Sequence, residues 1–393
     1  MDITIQPQKL HGRVTAIPSK SQAHRLLICA AFADKPTELL CPETNRDIAA
    51  TASCLSALGA DITRTPNGYR IVPISNLPHT AELDCCDSGS TLRFLLPVAG
   101  ALGIDTTFRL SGRLPQRPLS PRWEEMERMG CILSRPSPDT IRCQGKLQSG
   151  HFTIDGSISS QFITGLLLAT ALLSGDSELT LTGKIESLPY IEMTQKAMAL
   201  FGANTENYQV SGGQRFCTPE TITVEGDWSN GAFFLAASVL GNQISIENLN
   251  SNSPQGDRAV AELLPKLESF CEISAADIPD LVPILSVVAA AKRGAVFTEI
   301  ARLRLKESDR VFSTYSMIRN LGGSCEAAGN TLTIYGTGLK GGIVDAQNDH
   351  RIAMSAAIAA TVCTNPVTIL GAECVSKSYP AFWDIYRQLG GVL

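Results

Sequence analysis

Long apolar runs, paired cysteines and massed positive charge are absent from this chain, and each absence removes a class of protein. The longest apolar stretches, around Phe162 to Leu173 and Leu281 to Ala291, fall short of the ~20 residues that span a bilayer, so they read as buried core helices. The twelve cysteines are scattered singly except for Cys85-Cys86, with no Cys-x-x-Cys pair and no nearby histidine at zinc-finger spacing. Neither a disulfide framework nor structural zinc is expected, and a reduced cytoplasm fits. A net charge of −5 leaves no electrostatic footprint for nucleic acid or an acidic membrane. Any cationic character must then be local and suited to a small anionic ligand. The stretch Met1-Asp2-Ile3-Thr4-Ile5 has neither a basic start nor an apolar core, so export is not expected. A chain of 393 residues should build at least two cores.

What is present is a repeated arrangement in which a short polar turn runs into an apolar helix. The turns are Ser19-Lys20-Ser21, Ser88-Gly89-Ser90, Ser159-Ser160-Gln161, Asp227-Trp228-Ser229, Pro279-Asp280 and Asn348-Asp349-His350-Arg351. From Lys20 the steps to Gly89, Ser159, Ser229, Asp280 and Asp349 are 69, 70, 70, 51 and 69 positions. Serine, aspartate, asparagine and glycine are ordinary N-caps, so any one turn is explained by capping alone. Six in register, several carrying lysine or arginine, suggest more. Helix N-termini present unpaired N–H groups and partial positive charge, and several converging on one space form an anion site.

The helices after these turns are apolar nearly all round and should be buried. A second, amphipathic helix follows and stops at a glycine: Leu58-Gly59, Met129-Gly130, Phe201-Gly202, Leu321-Gly322 and Leu389-Gly390. Strand-like pairs come next, such as Tyr69 to Val72 and Thr331 to Ile334. The fourth unit has no glycine stop around Leu267 to Cys271 and is about twenty residues short, which reads as a lost hairpin. The sixth has no room for closing strands after Leu389-Gly390. The strand-like segment Asp2 to Thr15 is expected to supply them. The expectation is an α/β protein of two domains, 16–225 and 1–15 with 226–393, joined by two crossings, with a ligand cleft between them.

Candidate chemistry lies in the turns and in two cationic loops. Lys20, Ser21 and Arg25 suit a phosphate or carboxylate, with Arg25 one turn on from Ser21. Gly89, within Asp87 to Arg93, lets an anion approach the backbone. Arg113 to Pro118 sets two arginines on a stiff loop outside any helix. Ser159, Ser160 and Gln161 offer neutral donors and acceptors to a hydroxyl-rich or phosphorylated ligand. The densest charge is Arg302 to Arg310, where alternating Leu303 and Leu305 suggest a strand ending at Lys306 and Glu307. Such runs are often solvated faces. A carboxyl beside cations can also shuttle protons. Asp280 reads as an N-cap or as a general base. Arg351 and Lys377 add cations, and one histidine there defines no metal site.

Taken in order, Pro18 to Ser21 with Arg25, Asp87 to Arg93, Arg113 to Pro118, Gly156 to Gln161, Ser187 to Tyr190, Gly226-Asp227, Lys306 to Arg310, Asn348 to Arg351 and Lys377 strongly resemble the 5-enolpyruvylshikimate-3-phosphate synthase family. The resemblance spans nearly the whole chain. It implies a two-domain inverted α/β barrel of six βαβαββ repeats, three per domain, the fourth truncated here. It implies transfer of the enolpyruvyl group of phosphoenolpyruvate to the 5-hydroxyl of shikimate 3-phosphate, with release of phosphate. It also implies a cytoplasmic monomer that needs no metal or organic cofactor and binds neither nucleic acid nor membrane. By matching position, Lys20, Ser21, Arg25, Ser159, Ser160, Gln161, Ser187, Asp280 and Lys306 would hold shikimate 3-phosphate. Lys20, Gly89, Arg117, Gln161, Arg310, Arg351 and Lys377 would hold phosphoenolpyruvate. Asp280 would take the hydroxyl proton, Glu307 would protonate the methylene carbon, and Lys20 would stabilise the departing phosphate.

Three positions depart from better-known members: Arg302 where asparagine is frequent, Phe94 where proline is common, and Leu188 in place of a frequent lysine. The related transferase acting on a UDP-amino sugar carries a reactive cysteine in the loop corresponding to Arg113 to Pro118, and this loop has none. An RNA-binding repeat protein is disfavoured by the acidic balance and by turns poor in aromatics.

Overall fold

The computed structural model describes residues 1–157 and 159–393; Ile158, inside the Gly156 to Gln161 stretch, lies outside the described residues. The chain divides into two compact units, one of Pro18–Val224 and one of Met1–Ile17 with Glu225–Leu393.

In the first unit the three polar turns start the helices Lys20–Ala31, Gly89–Leu102 and Ser160–Thr170. Each begins where a serine hydroxyl accepts a backbone N–H: Ser19 from Gln22, Ser88 from Thr91 and Ser159 from Gln161. Their apolar surfaces leave almost no polar face, so they are buried together in one core with Phe94, Leu95, Phe162, Ile163 and Leu167. The second helices, Arg46–Ala57, Arg122–Arg128 and Leu188–Leu200, pack outside them. They end at Gly59, Gly130 and Gly202, whose φ values of 109, 100 and 77° are open to glycine at little cost.

The sheets in this unit follow one plan. Thr80–Asp84 runs parallel to Asp105–Arg109, which is then met by the antiparallel hairpin of Cys131–Ser137 and Thr140–Gly145. Thr37–Leu40 has the same neighbours, Asp61–Thr65 and Gly68–Val72 forming the hairpin, but its parallel partner is Thr221–Thr223. The third sheet joins His151–Asp155, Ser177–Thr182 and Gln209–Val210.

The second unit buries the helices Trp228–Val239, Val282–Ala291 and His350–Ala360 in a core of its own. The amino-terminal arm departs from expectation. Ile3–Ile5 pairs with Val367–Leu370, beside the last helices, but His11–Thr15 runs parallel to Gln243–Glu247 instead. Pro7 lacks the N–H a ladder needs, so the arm breaks there into two strands with different partners. After the helix Val260–Lys266 the chain goes directly to Cys271–Ser274, which pairs with Gly294–Thr298.

Leu303 and Leu305 do not lie on a strand. Glu299, with φ 56°, ends Gly294–Thr298, and Ala301–Leu305 forms a 3-10 turn that buries Leu303 and leaves Leu305 exposed. Likewise Arg113 to Pro118 is not wholly outside helix, because Leu114–Gln116 makes a single 3-10 turn. Asp280 is not a cap: Val282–Ala291 has Leu281 at that position, with no side-chain bond.

The tightest helix approach is at Gly165, where a Cβ would stand 2.2 Å from the Arg93 carbonyl oxygen and 2.9 Å from Pro97 Cγ. Alanine is favoured over glycine in a helix by about 1 kcal/mol. Overpacking against backbone costs more, about 1–3 kcal/mol. With a net cost of about 1 kcal/mol, Gly165→Ala is expected to lower the thermal midpoint by about 2–4 °C; an unchanged or higher midpoint in a melting experiment would refute this packing.

Candidate active site

Lys20 is the first residue of its helix, and its Nζ lies 3.0 Å from Asp47 Oδ2, with both side chains largely covered. Arg25, one turn on, is 2% exposed and uses four of its five N–H donors within the protein. They go to Thr194 Oγ1, Ser21 O, Tyr190 O and Thr164 Oγ1 at 2.8, 2.5, 2.9 and 3.3 Å. Burial pushes its guanidinium down to about 10, so it is cationic at neutral pH. Arg25 thus fixes the start of the Leu188 helix, where Ser187 sits buried with φ 57°. A buried chain of hydroxyls, His24 Nδ1 to Thr51, Thr51 to Thr91 and Thr91 to Ser88, each link 2.7–2.8 Å, ties the Lys20 helix to the Gly89 turn.

Gly89 is the centre of a second group. A Cβ there would meet Arg93 Nη1 at 2.6 Å and Arg117 Nη1 at 2.8 Å, so two guanidinium groups converge on this helix start because it has no side chain. Gln161 joins them: its Oε1 accepts from Arg93 Nη1 at 3.3 Å and its Nε2 donates to Ser90 Oγ at 3.0 Å. Gly89, Arg117 and Gln161 are brought together. Ser159 is occupied as a cap, and Ser160 is buried in the first turn beside Gln161.

In the other unit the charges gather on Arg310, the first residue of the helix Arg310–Asn320, whose cap is Asp309. Its fully buried guanidinium donates to Asp349 Oδ2 at 2.9 Å, Asp280 Oδ1 at 2.7 Å and Glu307 Oε2 at 2.7 Å. Arg351 Nη2 reaches Asp280 Oδ2 at 3.3 Å, Lys306 Nζ lies 3.4 Å from Asp280 Oδ1, and Lys377 Nζ lies 3.9 Å from Glu307 Oε1. Four cations therefore meet these three carboxylates. Asp349 also caps the His350 helix, accepting from Arg351 N at 3.0 Å. The loop after the 3-10 turn, not a strand end, delivers Lys306 and Glu307.

These neighbours set the protonation states. Burial raises the Asp280 pKa, but Lys306, Arg351 and Arg310 overcome it and hold the carboxyl well below its usual range. Burial lowers Lys306, and Asp280 offsets this only in part. Arg310 and Arg351 are lowered by burial and raised further by their carboxylates, so both stay charged. Asp257, bonded to Ser229 Oγ, is pushed up to about 6 by burial and by Asp280, against the pull of Arg351.

Asp47 and Asp257 are charged neighbours of these clusters that the residue order does not single out, whereas Arg93 and Asp349 lie in motifs that assign them no role of their own. Arg93 has a signal, since Gly89-x-x-x-Arg93 repeats the spacing of Ser21-x-x-x-Arg25. Asp47 has none, being 27 positions from the lysine it holds.

An α/β protein with cations gathered at helix starts in both units defines a class: an enzyme for small, multiply anionic substrates. The model of the EPSP synthase (3-phosphoshikimate 1-carboxyvinyltransferase) family matches residues 5–386. The 3-phosphoshikimate 1-carboxyvinyltransferases of Clostridium kluyveri and Clostridium acetobutylicum are each 38% identical, over 99% of this chain and 97% of theirs. A solved EPSP synthase from Acinetobacter baumannii superposes with a TM-score of 0.80 at 23% identity, covering 99% of this chain and 98% of that one, which is a likeness of fold. The chain belongs to the EPSP synthase family. Its reaction moves the enolpyruvyl group of phosphoenolpyruvate to the 5-hydroxyl of shikimate 3-phosphate, releasing phosphate, on the route to chorismate and the aromatic amino acids.

Removing Asp349 would strip a buried arginine of its bidentate partner and a helix of its cap. Asp349→Ala is expected to cost about 3 kcal/mol or more. Asp349→Asn, which keeps the cap, should recover about 1 kcal/mol of that. Equilibrium urea unfolding at neutral pH checks both, and a loss under ~0.5 kcal/mol for the alanine variant would contradict the role given to Asp349.

Proposed function

We propose that the two charge clusters divide the labour of this reaction. Lys20, Ser21, Arg25, Ser159, Ser160, Gln161, Ser187, Asp280 and Lys306 hold shikimate 3-phosphate. Lys20, Gly89, Arg117, Gln161, Arg310, Arg351 and Lys377 hold phosphoenolpyruvate. The observation that carries the reading is that Asp280 and Glu307 both bond to Arg310 and lie among three further cations. These are the groups that two anionic substrates and two proton transfers require. Arg25 acts chiefly through the Ser21 and Ser187 turns it fixes, with one N–H left for a substrate oxygen.

In the free protein Asp280 is a weak base, because its cations stabilise the carboxylate. Anionic substrates compete for those cations, and as the charge of Lys306, Arg310 and Arg351 is taken up, Asp280 gains basicity. It then accepts the 5-hydroxyl proton as that oxygen bonds to C2 of phosphoenolpyruvate. Glu307, having taken up a proton from solvent as the substrates draw off its cations, delivers it to C3, giving a tetrahedral intermediate. Its carboxylate then takes a proton back from the new methyl group, which re-forms the double bond and expels phosphate toward Lys20, the proton held by Asp280 leaving with the phosphate.

We read the architecture as six βαβαββ repeats, three in each unit, with the fourth truncated. The recurring sheet order and the two-stranded sheet of Gln243–Glu247 with His11–Thr15 support it. In this reading Thr221–Thr223 serves the first repeat and His11–Thr15 the fourth. We assign the protein to the cytoplasm as a monomer, without nucleic-acid or membrane partners; among the described residues no helix is long and apolar enough to cross a membrane.

Phosphate release should require both shikimate 3-phosphate and phosphoenolpyruvate, and should not occur when a UDP-amino sugar replaces the former. Glu307→Ala should keep calorimetric binding of shikimate 3-phosphate and Asp280→Ala should still bind it, though more weakly, while turnover falls about 100-fold or more in each. Near-normal rates in both variants would remove their catalytic assignment.

A further inference from the structure

Arg122 belongs to no motif above, yet with Arg310 it is one of two fully buried arginines among the largest fully buried side chains of the described residues. Its position follows from a defect in the neighbouring helix. Gly89–Leu102 contains Pro97, which has no N–H, so the carbonyl of Arg93 four residues earlier lacks its intrahelical donor. Arg122 Nη1 donates to that oxygen. The same guanidinium lies over the ring of Phe162, its Cζ 4.6 Å from the centroid, while Arg93 Cζ is 5.6 Å from the centroid of that ring. Nε and Nη2 of Arg122 have no acceptor among the described residues, so the site holds a buried cation for one main-chain bond and one aromatic face.

The bond closes a loop of contacts around the Gly89 corner. Arg93 Nη2 donates to the carbonyl of Pro118, next to Arg117, and Arg93 Nη1 to Gln161, next to Phe162. Arg122 begins the helix that follows the Arg117 loop and returns a bond to the backbone of Arg93. The loop carrying Arg117 and the helix start carrying Gly89 are thus clamped in both directions. Gly165 seats the Ser160 helix on the same notch, within 2.2 Å of the Arg93 oxygen for any Cβ.

We infer that Arg122 is a positioning residue for the phosphoenolpyruvate end of the site, acting as a surrogate for the N–H that Pro97 withholds. It touches no substrate and sets the distance between Arg117 and Gly89 through Arg93. This inference rests on the assignment of Gly89, Arg117 and Gln161 to phosphoenolpyruvate.

The test is a double-mutant cycle on steady-state phosphate release, with KM measured for each substrate. Arg122→Met should raise the KM for phosphoenolpyruvate about 10-fold or more, moving kcat and the KM for shikimate 3-phosphate less than 3-fold. Pro97→Ala alone should stay near the parent. Arg122→Met with Pro97→Ala should return the KM to within about 3-fold of it, because an alanine in place of the proline supplies the missing N–H. A double variant no better than Arg122→Met would overturn the inference, as would equal losses for both substrates. If Arg122→Met does not fold, Arg122→Lys with and without Pro97→Ala carries the same comparison. Arg117→Met reports which substrate this corner serves. Should it raise the KM of shikimate 3-phosphate instead, the site assignment fails, and Arg122→Met must then shift that same substrate, with rescue by Pro97→Ala, or the positioning role fails as well.

Discussion

One buried guanidinium organises the second unit. Arg310 is fully enclosed, and the charge is tolerable only because Asp280, Glu307 and Asp349 surround it. Those three carboxylates come from three different places in the chain: the start of the Val282 helix, the loop before Arg310 itself, and the cap of the His350 helix. Pairing with a common cation fixes the relative position of three helix starts. Lys306, Arg351 and Lys377 gather around the same carboxylates. The site proposed to receive anionic substrates is thereby held in shape by carboxylates of its own.

The first unit solves the same problem chiefly with neutral groups. Its helix starts are linked by the hydroxyl chain from His24 through Thr51 and Thr91 to Ser88, and by the Gln161 amide between Arg93 and Ser90. Lys20 is the exception, paired with the carboxylate of Asp47. Neutral donors and acceptors hold geometry without competing for charge. The cations that the proposal gives to phosphate and carboxylate groups are therefore restrained differently in the two units. In one they are positioned largely by packing and amides, in the other by exchangeable ion pairs.

Features with a local cause were legible in the residue order. The six buried helices follow from apolar surface, the starts of all but the Val282 helix from capping side chains, and their partners' ends, outside the fourth unit, from glycines that adopt positive φ. Local pattern failed where a neighbour far along the chain decides. Leu303 and Leu305 alternate like a strand, but Glu299 has already ended the strand, and only Leu303 finds a core to enter. Asp2 to Thr15 looks like one arm, but its two strands answer to Val367–Leu370 and Gln243–Glu247, hundreds of residues away. Asp47 and Arg122 carry no sequence signal because each is defined by its partner, a lysine on another helix and a carbonyl orphaned by a proline.

If Glu307 and Asp280 share their cations with the incoming substrates, neutralising a carboxylate must release cation for the ligand. The direct measurement is the dissociation constant of phosphoenolpyruvate for Glu307→Gln, by calorimetry at low ionic strength with shikimate 3-phosphate saturating. The variant loses the competitor for Arg310 and Lys377, so phosphoenolpyruvate should bind several-fold tighter than to the parent, with turnover abolished. Weaker binding, or unchanged binding with turnover intact, would contradict the account.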